Sequence, residues 1–144
     1  PSAALLKALI RHLTLQEDEA FIMDMDAGIE NLGRGTTRGM DTLLVVVEPG
    51  RRSLETLGRI KRLAKDIGTE TVYAVANRVD GESDREAIET YTETLGVEVL
   101  SYIPRDSTLK TADLMGLAPL DMADHGSAIE EIQRLHGRLS KILA

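Results

Sequence analysis

The segment Thr42–Glu48, TLLVVVE, constrains the fold more than any other stretch of the chain. It is an unbroken aliphatic and β-branched run, closed by Pro49-Gly50. A strand with one face in water alternates apolar and polar residues, whereas a continuous run suits a parallel strand covered on both faces. Parallel strands need crossover connections, usually helices, and the flanking sequence supplies them. Leu54, Leu57, Ile60, Leu63, Ala64 and Ile67 recur at helical spacing, with Ser53 placed as the N-cap and Gly68 as the stop. Further on, the pattern predicts a strand over 71–76 that ends at Asn77-Arg78-Val79-Asp80, a polar turn at Gly81 and Ser83 and a helix over 84–95 closed by Gly96. A strand over 97–103 ended by Pro104, a short helix over 107–115 and a final amphipathic helix over 127–143 follow. Upstream, Ala3, Leu5, Leu6, Leu9, Ile10 and Leu13 mark a helix over 2–15, and Ala20–Asp24 reads as a first strand. Strands alternating with helices form βαβ units with right-handed crossovers. The expected fold is therefore α/β, three-layered, with a mainly parallel sheet and helices on both faces, in a single domain over 1–144.

Composition narrows the function. The net charge of −7 argues against general nucleic-acid binding, which needs a basic footprint, and against attachment to anionic membrane. The sequence has no cysteine, so neither a disulfide nor a thiolate metal site forms within it. No apolar run approaches the roughly 18 residues of a membrane span, and no signal peptide opens the sequence, so a cytoplasmic location is expected. The three histidines, His12, His125 and His136, lack ligand-like spacing and read as helix-face residues. Pro1 in place of Met is consistent with processing or with a fragment.

In a doubly wound sheet, ligands collect at the carboxyl ends of the strands. Three strand ends carry polar signals: Asp24 and Asp26, Asn77 to Asp80, and Pro104-Arg105-Asp106. Asp24, after the apolar run Phe21-Ile22-Met23, reads either as an acid that holds Mg²⁺ through water in a nucleotide site or as a helix N-cap. Gly28, without a Cβ, permits a phosphate to approach its backbone N–H. Asn77-Arg78-Val79-Asp80 has the outline of the N-K-x-D base-reading motif of guanine-nucleotide proteins, with Arg for Lys, and a plain turn is the competing reading. No GxxxxGK[ST] loop is present: the segment Gly33–Gly39 has glycines and threonines but no lysine. Unaided, the chain should bind nucleoside triphosphate weakly or not at all.

The series DMDAGIENLGRGTTRGMDTLLVVVEPGRRSLETLGRIKRLAKDIG, then VANRV, then YIPRDSTLKTADLMG, resembles the C-terminal part of a MinD/ParA-type P-loop ATPase. Within that family it is most similar to the CooC branch, accessory ATPases for nickel insertion into carbon monoxide dehydrogenase. The resemblance implies that Asp24 is the Walker B acid positioning Mg²⁺, and that Ala27-Gly28 is the switch II turn sensing the terminal phosphate. It implies that Asn77 and Arg78 lie beside an adenine rather than a guanine, and that Pro104, Arg105 and Asp106 close over the base. ATP or ADP with Mg²⁺, a homodimer and a carbon monoxide dehydrogenase partner follow from the same resemblance, with no nucleic-acid or membrane partner. A MinD-like membrane positioner, binding lipid through the Ile129, Ile132, Leu135, Leu139 and Ile142 stripe, is the alternative; the helix's balanced charge favours packing on the sheet.

The departures from the family pattern are as informative. The GKGGxGKT loop, its lysines and the first strand are absent, as is the Cys-x-Cys pair thought to hold metal between two subunits. Asn31 stands where such sequences usually carry His. The chain thus resembles a family member without its amino-terminal half. In the family, the P-loop strand lies between the strands matching 20–24 and 42–48. Without it, those strands pair directly, a partner chain fills the slot, or the chain dimerises through exposed edges.

Overall fold

In a computed structural model of the chain, residues 19–25, 40–69 and 71–143 are described. They form a three-stranded parallel sheet of β1 (Thr42–Val47), β2 (Thr71–Val79) and β3 (Glu98–Pro104), in that spatial order. Helix α1 (Arg51–Ile67) connects β1 to β2, and α2 (Glu82–Leu95) connects β2 to β3. Helix α3 (Ser107–Met115), a short 3₁₀ turn at Pro119–Asp121 and α4 (Gly126–Ile142) complete the described chain. This is the expected α/β architecture, with helices on both faces. No helix among the described residues is long and apolar enough to cross a membrane.

The two faces of the sheet pack separately. Val45, Val47, Ala74 and Ala76 point to one side, where Leu54, Leu57 and Ile60 of α1 and Ile88 of α2 close over them. Val75 and Ile103 point to the other, against Ala128 of α4, flanked by Leu109 and Leu135. Alternation of side chains along β2 is what divides its residues between the two cores. The apolar stripe of the last helix reaches the second core through Leu135, and Ile129 is buried, while Ile132 and Ile142 stay exposed.

Several expectations are corrected. Residues 20–24 form no strand and have no ladder partner, although Met25 beside them packs against the first core. A strand exists only through its ladder, and β1 offers its bonds to β2 alone among the described residues. Direct pairing of 20–24 with β1 is therefore not how the sheet accommodates the missing neighbour. The β1 run is covered on one face only: Val45 and Val47 are buried, but Leu44 and Val46 are 42% and 61% exposed. Ser53 is not an N-cap. The chain turns so tightly at Pro49-Gly50, with Gly50 N donating to Glu48 O at 2.7 Å, that the helix is already under way at Arg51 with Gly50 as cap. Ser53 Oγ instead accepts from Glu48 N at 2.9 Å. β2 runs past Ala76 to Val79, because the polar residues Asn77 and Arg78 are absorbed as a bulge rather than a turn. The helix stops at Gly68, Gly96 and Gly116 all adopt left-handed conformations, as C-terminal glycines do.

Two side chains finish what backbone irregularity leaves open. Leu100 is an extra residue in β3, skipped as Val99 pairs with Ala74 and Ser101 with Val75. Such a bulge leaves ladder groups unpaired, and Arg138 of α4 donates to the Leu100 carbonyl. Lys61 of α1 donates to the Leu95 and Gly96 carbonyls at the C-terminus of α2, where a cation also suits the helix dipole.

Candidate functional site

All three strands are parallel, so their carboxyl ends fall on one edge: Val47–Glu48, Asn77–Asp80 and Pro104–Asp106. A chain of contacts runs along that edge. The Glu48 carboxylate lies 3.2 Å from the Arg78 guanidinium, an exposed ion pair joining the end of β1 to the β2 bulge. Arg78 has φ of 56°, the sole non-glycine among the described residues in the left-handed region. Holding an L-residue there costs roughly 1–2 kcal/mol, and such outliers concentrate where a chain is shaped for a purpose. Just beyond, Arg105 N donates to Val79 O at 3.0 Å, tying the loop after β3 to the end of β2. Asp80 N donates to Asp84 Oδ2 at 2.8 Å, which turns the chain into α2.

Asp106 anchors the far end of this edge. Its Oδ1 accepts from Thr108 N at 2.8 Å and from Thr108 Oγ1 at 2.6 Å, capping α3. Its Oδ2 accepts from Ala128 N at 2.9 Å and from Ser127 Oγ at 3.2 Å, at the start of α4. The Ala128 N–H, then the Thr108 and Ser127 groups, hold the carboxyl well below the usual carboxylate range. Gly126, which opens α4, has φ of 70°. Elsewhere on the second face, burial pushes the Glu131 carboxyl up, but the Ser101 hydroxyl and Arg134 outweigh it and hold it below its ordinary value. Ser101 donates to Glu131 at 2.8 Å, satisfying a hydroxyl that is 2% exposed. On the first face, burial and a hydrogen bond to Glu89 push the Tyr102 hydroxyl up to about 12, while Arg85 lies 4.0 Å over its ring.

The edge thus brings together Arg78, Arg105 and Asp106, with half-buried Asn77 and Pro104 between them. Asp24 is exposed, and none of the hydrogen bonds or ion pairs among the described residues joins it to them. Gly28, Ala27 and Asp26 lie outside the described residues. Sequence reasoning missed Glu48, the partner of Arg78, and the group Gly126-Ser127-Ala128. The second left a trace: the run Asp106-Ser107-Thr108 before a helix is a cap signature, which assigns the carboxylate to backbone N–H groups before any ligand.

Comparison with known proteins agrees with this architecture. The family model described as the CobQ/CobB/MinD/ParA nucleotide binding domain matches residues 4–120. The chain is 36% identical over 142 residues to an uncharacterized ATP-binding protein of Methanocaldococcus jannaschii, covering 99% of this chain and 54% of that protein. It is 38% identical over 123 residues to the carbon monoxide dehydrogenase accessory protein CooC of Rhodospirillum rubrum, covering 85% of this chain and 46% of CooC. The chain therefore spans about half the length of the curated relatives it matches. Among solved structures, the MinD cell division protein of Aquifex aeolicus superposes with a TM-score of 0.62 at 22% identity, over 74% of this chain and 46% of that one. The cell division ATPase MinD of Pyrococcus furiosus gives 0.58 at 20% identity, over 71% and 43%. Sharing that fold and matched by that family model over most of its length, the chain belongs to the CobQ/CobB/MinD/ParA nucleotide-binding domain family of MinD/ParA-type P-loop ATPases, with CooC among its relatives.

Proposed function

We propose that this chain supplies the base-side and metal-side parts of a MinD/ParA-type ATPase that acts in nickel maturation of carbon monoxide dehydrogenase. The observation that carries the reading is the carboxyl edge, where the strained Asn77-Arg78 bulge and the loop Pro104–Asp106 are fastened to each other. The likeness to CooC supports the choice of client. In this reading Asn77 and Arg78 flank the adenine, and Pro104 and Arg105 cover it. An amide at a strand end both donates to and accepts from a purine edge.

The donor chemistry fits magnesium in part. Asp24 offers exposed carboxylate oxygen, the hard donor Mg²⁺ prefers, and Mg²⁺ takes most of its shell from water and phosphate. Among the described residues no group of three or more His, Cys, Asp or Glu could hold a metal, and Asp24 is the candidate donor there. Bound there, the ion would neutralise phosphate charge. Nickel, the cargo, finds no thiolate in a sequence without cysteine. The phosphate-cradling lysine loop is likewise absent, so hydrolysis requires a segment that supplies it. The open edge of β1 is where we place the strand of that segment, and two such units would form the working homodimer in the cytoplasm.

The test is ATP turnover by the protein when this chain follows a GKGGxGKT segment, with and without Asp24→Asn. A loss of about 100-fold is expected for removal of a charge-stabilising group in a phosphoryl-transfer site; equal turnover would remove Asp24 from the site. Retention of carbon monoxide dehydrogenase on the immobilised protein tests the client. A second reading, a non-catalytic module that pairs with a full-length ATPase or metalloenzyme, is favoured by the exposed Leu44 and Val46 beside the same open edge. Client retention without any turnover would select it.

A further inference from the structure

The resemblance places Asp106 over the base, but the structure has already engaged its carboxylate. An ionised carboxylate has about four lone-pair sites. Here four donors occupy them: Thr108 N and Oγ1 on one oxygen, Ala128 N and Ser127 Oγ on the other. Two helix N-termini, starting at Ser107 and Gly126, thus meet at a single side chain. The approach is close enough to dictate its neighbour. A Cβ added to Gly126 would lie 2.2 Å from Thr108 Oγ1 and 2.4 Å from Asp106 Oδ2, and φ there is +70°. Only glycine lets the chain pass at that distance in that conformation.

The joint continues along the edge. Asp106 is adjacent to Arg105, whose N–H is fixed to Val79 O, and Val79 follows the strained Arg78. A continuous set of contacts therefore joins the start of α4 to the loop after β3 and to the β2 bulge. We propose that Asp106 is a positioning residue, locking the loop Pro104–Asp106 to the start of α4 so that the loop meets a purine through its backbone while the carboxylate contacts only protein. The purine in that statement rests on the function proposed above; the joint itself does not.

Backbone amide exchange on the full chain tests it, with Gly126→Ala perturbing the joint from the side that does not touch Arg105. The Arg105 N–H is expected to exchange about tenfold faster, together with Ala128, while the central β2 amides keep their protection. Should Gly126→Ala fail to fold, Ser127→Ala removes only the 3.2 Å bond and is expected to move Arg105 in the same direction by less. Faster exchange at Ala128 with Arg105 unchanged would overturn the proposal. A second arm titrates ADP and GDP to millimolar concentration against amide spectra of the wild type and of Asp106→Asn. Weakening of both nucleotides by the same factor is the expected result, and a shift in the ADP-to-GDP preference would show the carboxylate to be a base contact and overturn it. If the wild type binds neither, as expected of a sequence without the lysine loop, the exchange comparison alone decides the joint.

Discussion

On one face of the sheet, Leu57, Ile88, Val47, Ala74 and Ala76 form a continuous buried cluster beneath α1 and α2; on the other, Val75, Ile103 and Ala128 are the buried members beneath α4. The first face closes by aliphatic packing, with Leu57 and Ile88 wholly inaccessible. The second is thinner, and polar contacts supply much of its order: Ser101 with Glu131, Arg138 with the Leu100 carbonyl, and Asp106 with two helix starts. Its cover ends before β1, where Leu44 and Val46 remain open. The difference separates two tasks. Burial on the first face holds the fold together, whereas directional bonds on the second fix where the loop at the carboxyl edge sits.

That division can be broken by mutation, and the largest effect is expected in the first core. Ile88→Ala should cost about 4 kcal/mol and Ile103→Ala about 2, the upper and lower parts of the range for such deletions, read from urea midpoints. Equal costs would erase the distinction between the faces. Next comes acid. Asp106 and Glu131 both have folded-state affinities for protons below those of the unfolded chain. Their contribution is therefore complete above the unfolded carboxylate values, about 3.9 for Asp and 4.3 for Glu, and is lost as pH falls below them. The Asp106→Asn variant should lose less stability between about pH 5 and pH 2 than the wild type does, measured by thermal unfolding across that range. An unchanged slope would mean that the carboxylate is not the fastener of the second face.

Smaller effects probe the edge. Arg78→Gly relieves the left-handed strain while Arg78→Ala keeps it, and both lose the exposed pair with Glu48. The glycine variant should be the more stable by about 1 kcal/mol, with the ion pair itself contributing at most about that much. If alanine is the better tolerated, the bulge has a different geometry in solution. Smallest is Val46→Thr on the open face of β1, expected to change the stability of the isolated chain by no more than about 0.5 kcal/mol. A cost well above that would show the face to be covered, by a second copy or by other chain.

Much of this was legible beforehand because the signals were local and periodic. The β-branched run of β1, the helical stripe of α1 and the glycines that end the helices each fix a conformation within a few residues. The segment 20–24 misled for the opposite reason: an apolar run becomes a strand only through a neighbour's hydrogen bonds, which its own residues do not encode. The Asn77-Arg78 bulge is ambiguous in the sequence, because polar residues at a strand end fit a turn as well, and only the pairing of Val79 with Pro104 carries the strand past them. For the site, residue types placed the three strand ends on one edge, but not which side chains were already engaged. That Asp106 faces Ala128, twenty-two residues on, is a long-range contact with no pattern along the chain.

Calorimetric titration of Mg-ATP into the 144-residue chain checks the proposal that it carries part of a nucleotide site without the part that grips phosphate. No measurable heat is expected, or a dissociation constant no tighter than about 1 mM, since on that proposal the bulge and loop would meet a base while the sequence has no lysine loop for the triphosphate. A dissociation constant near 1 μM, about 4 kcal/mol tighter, would contradict it and require a phosphate site in this sequence that its motifs do not reveal.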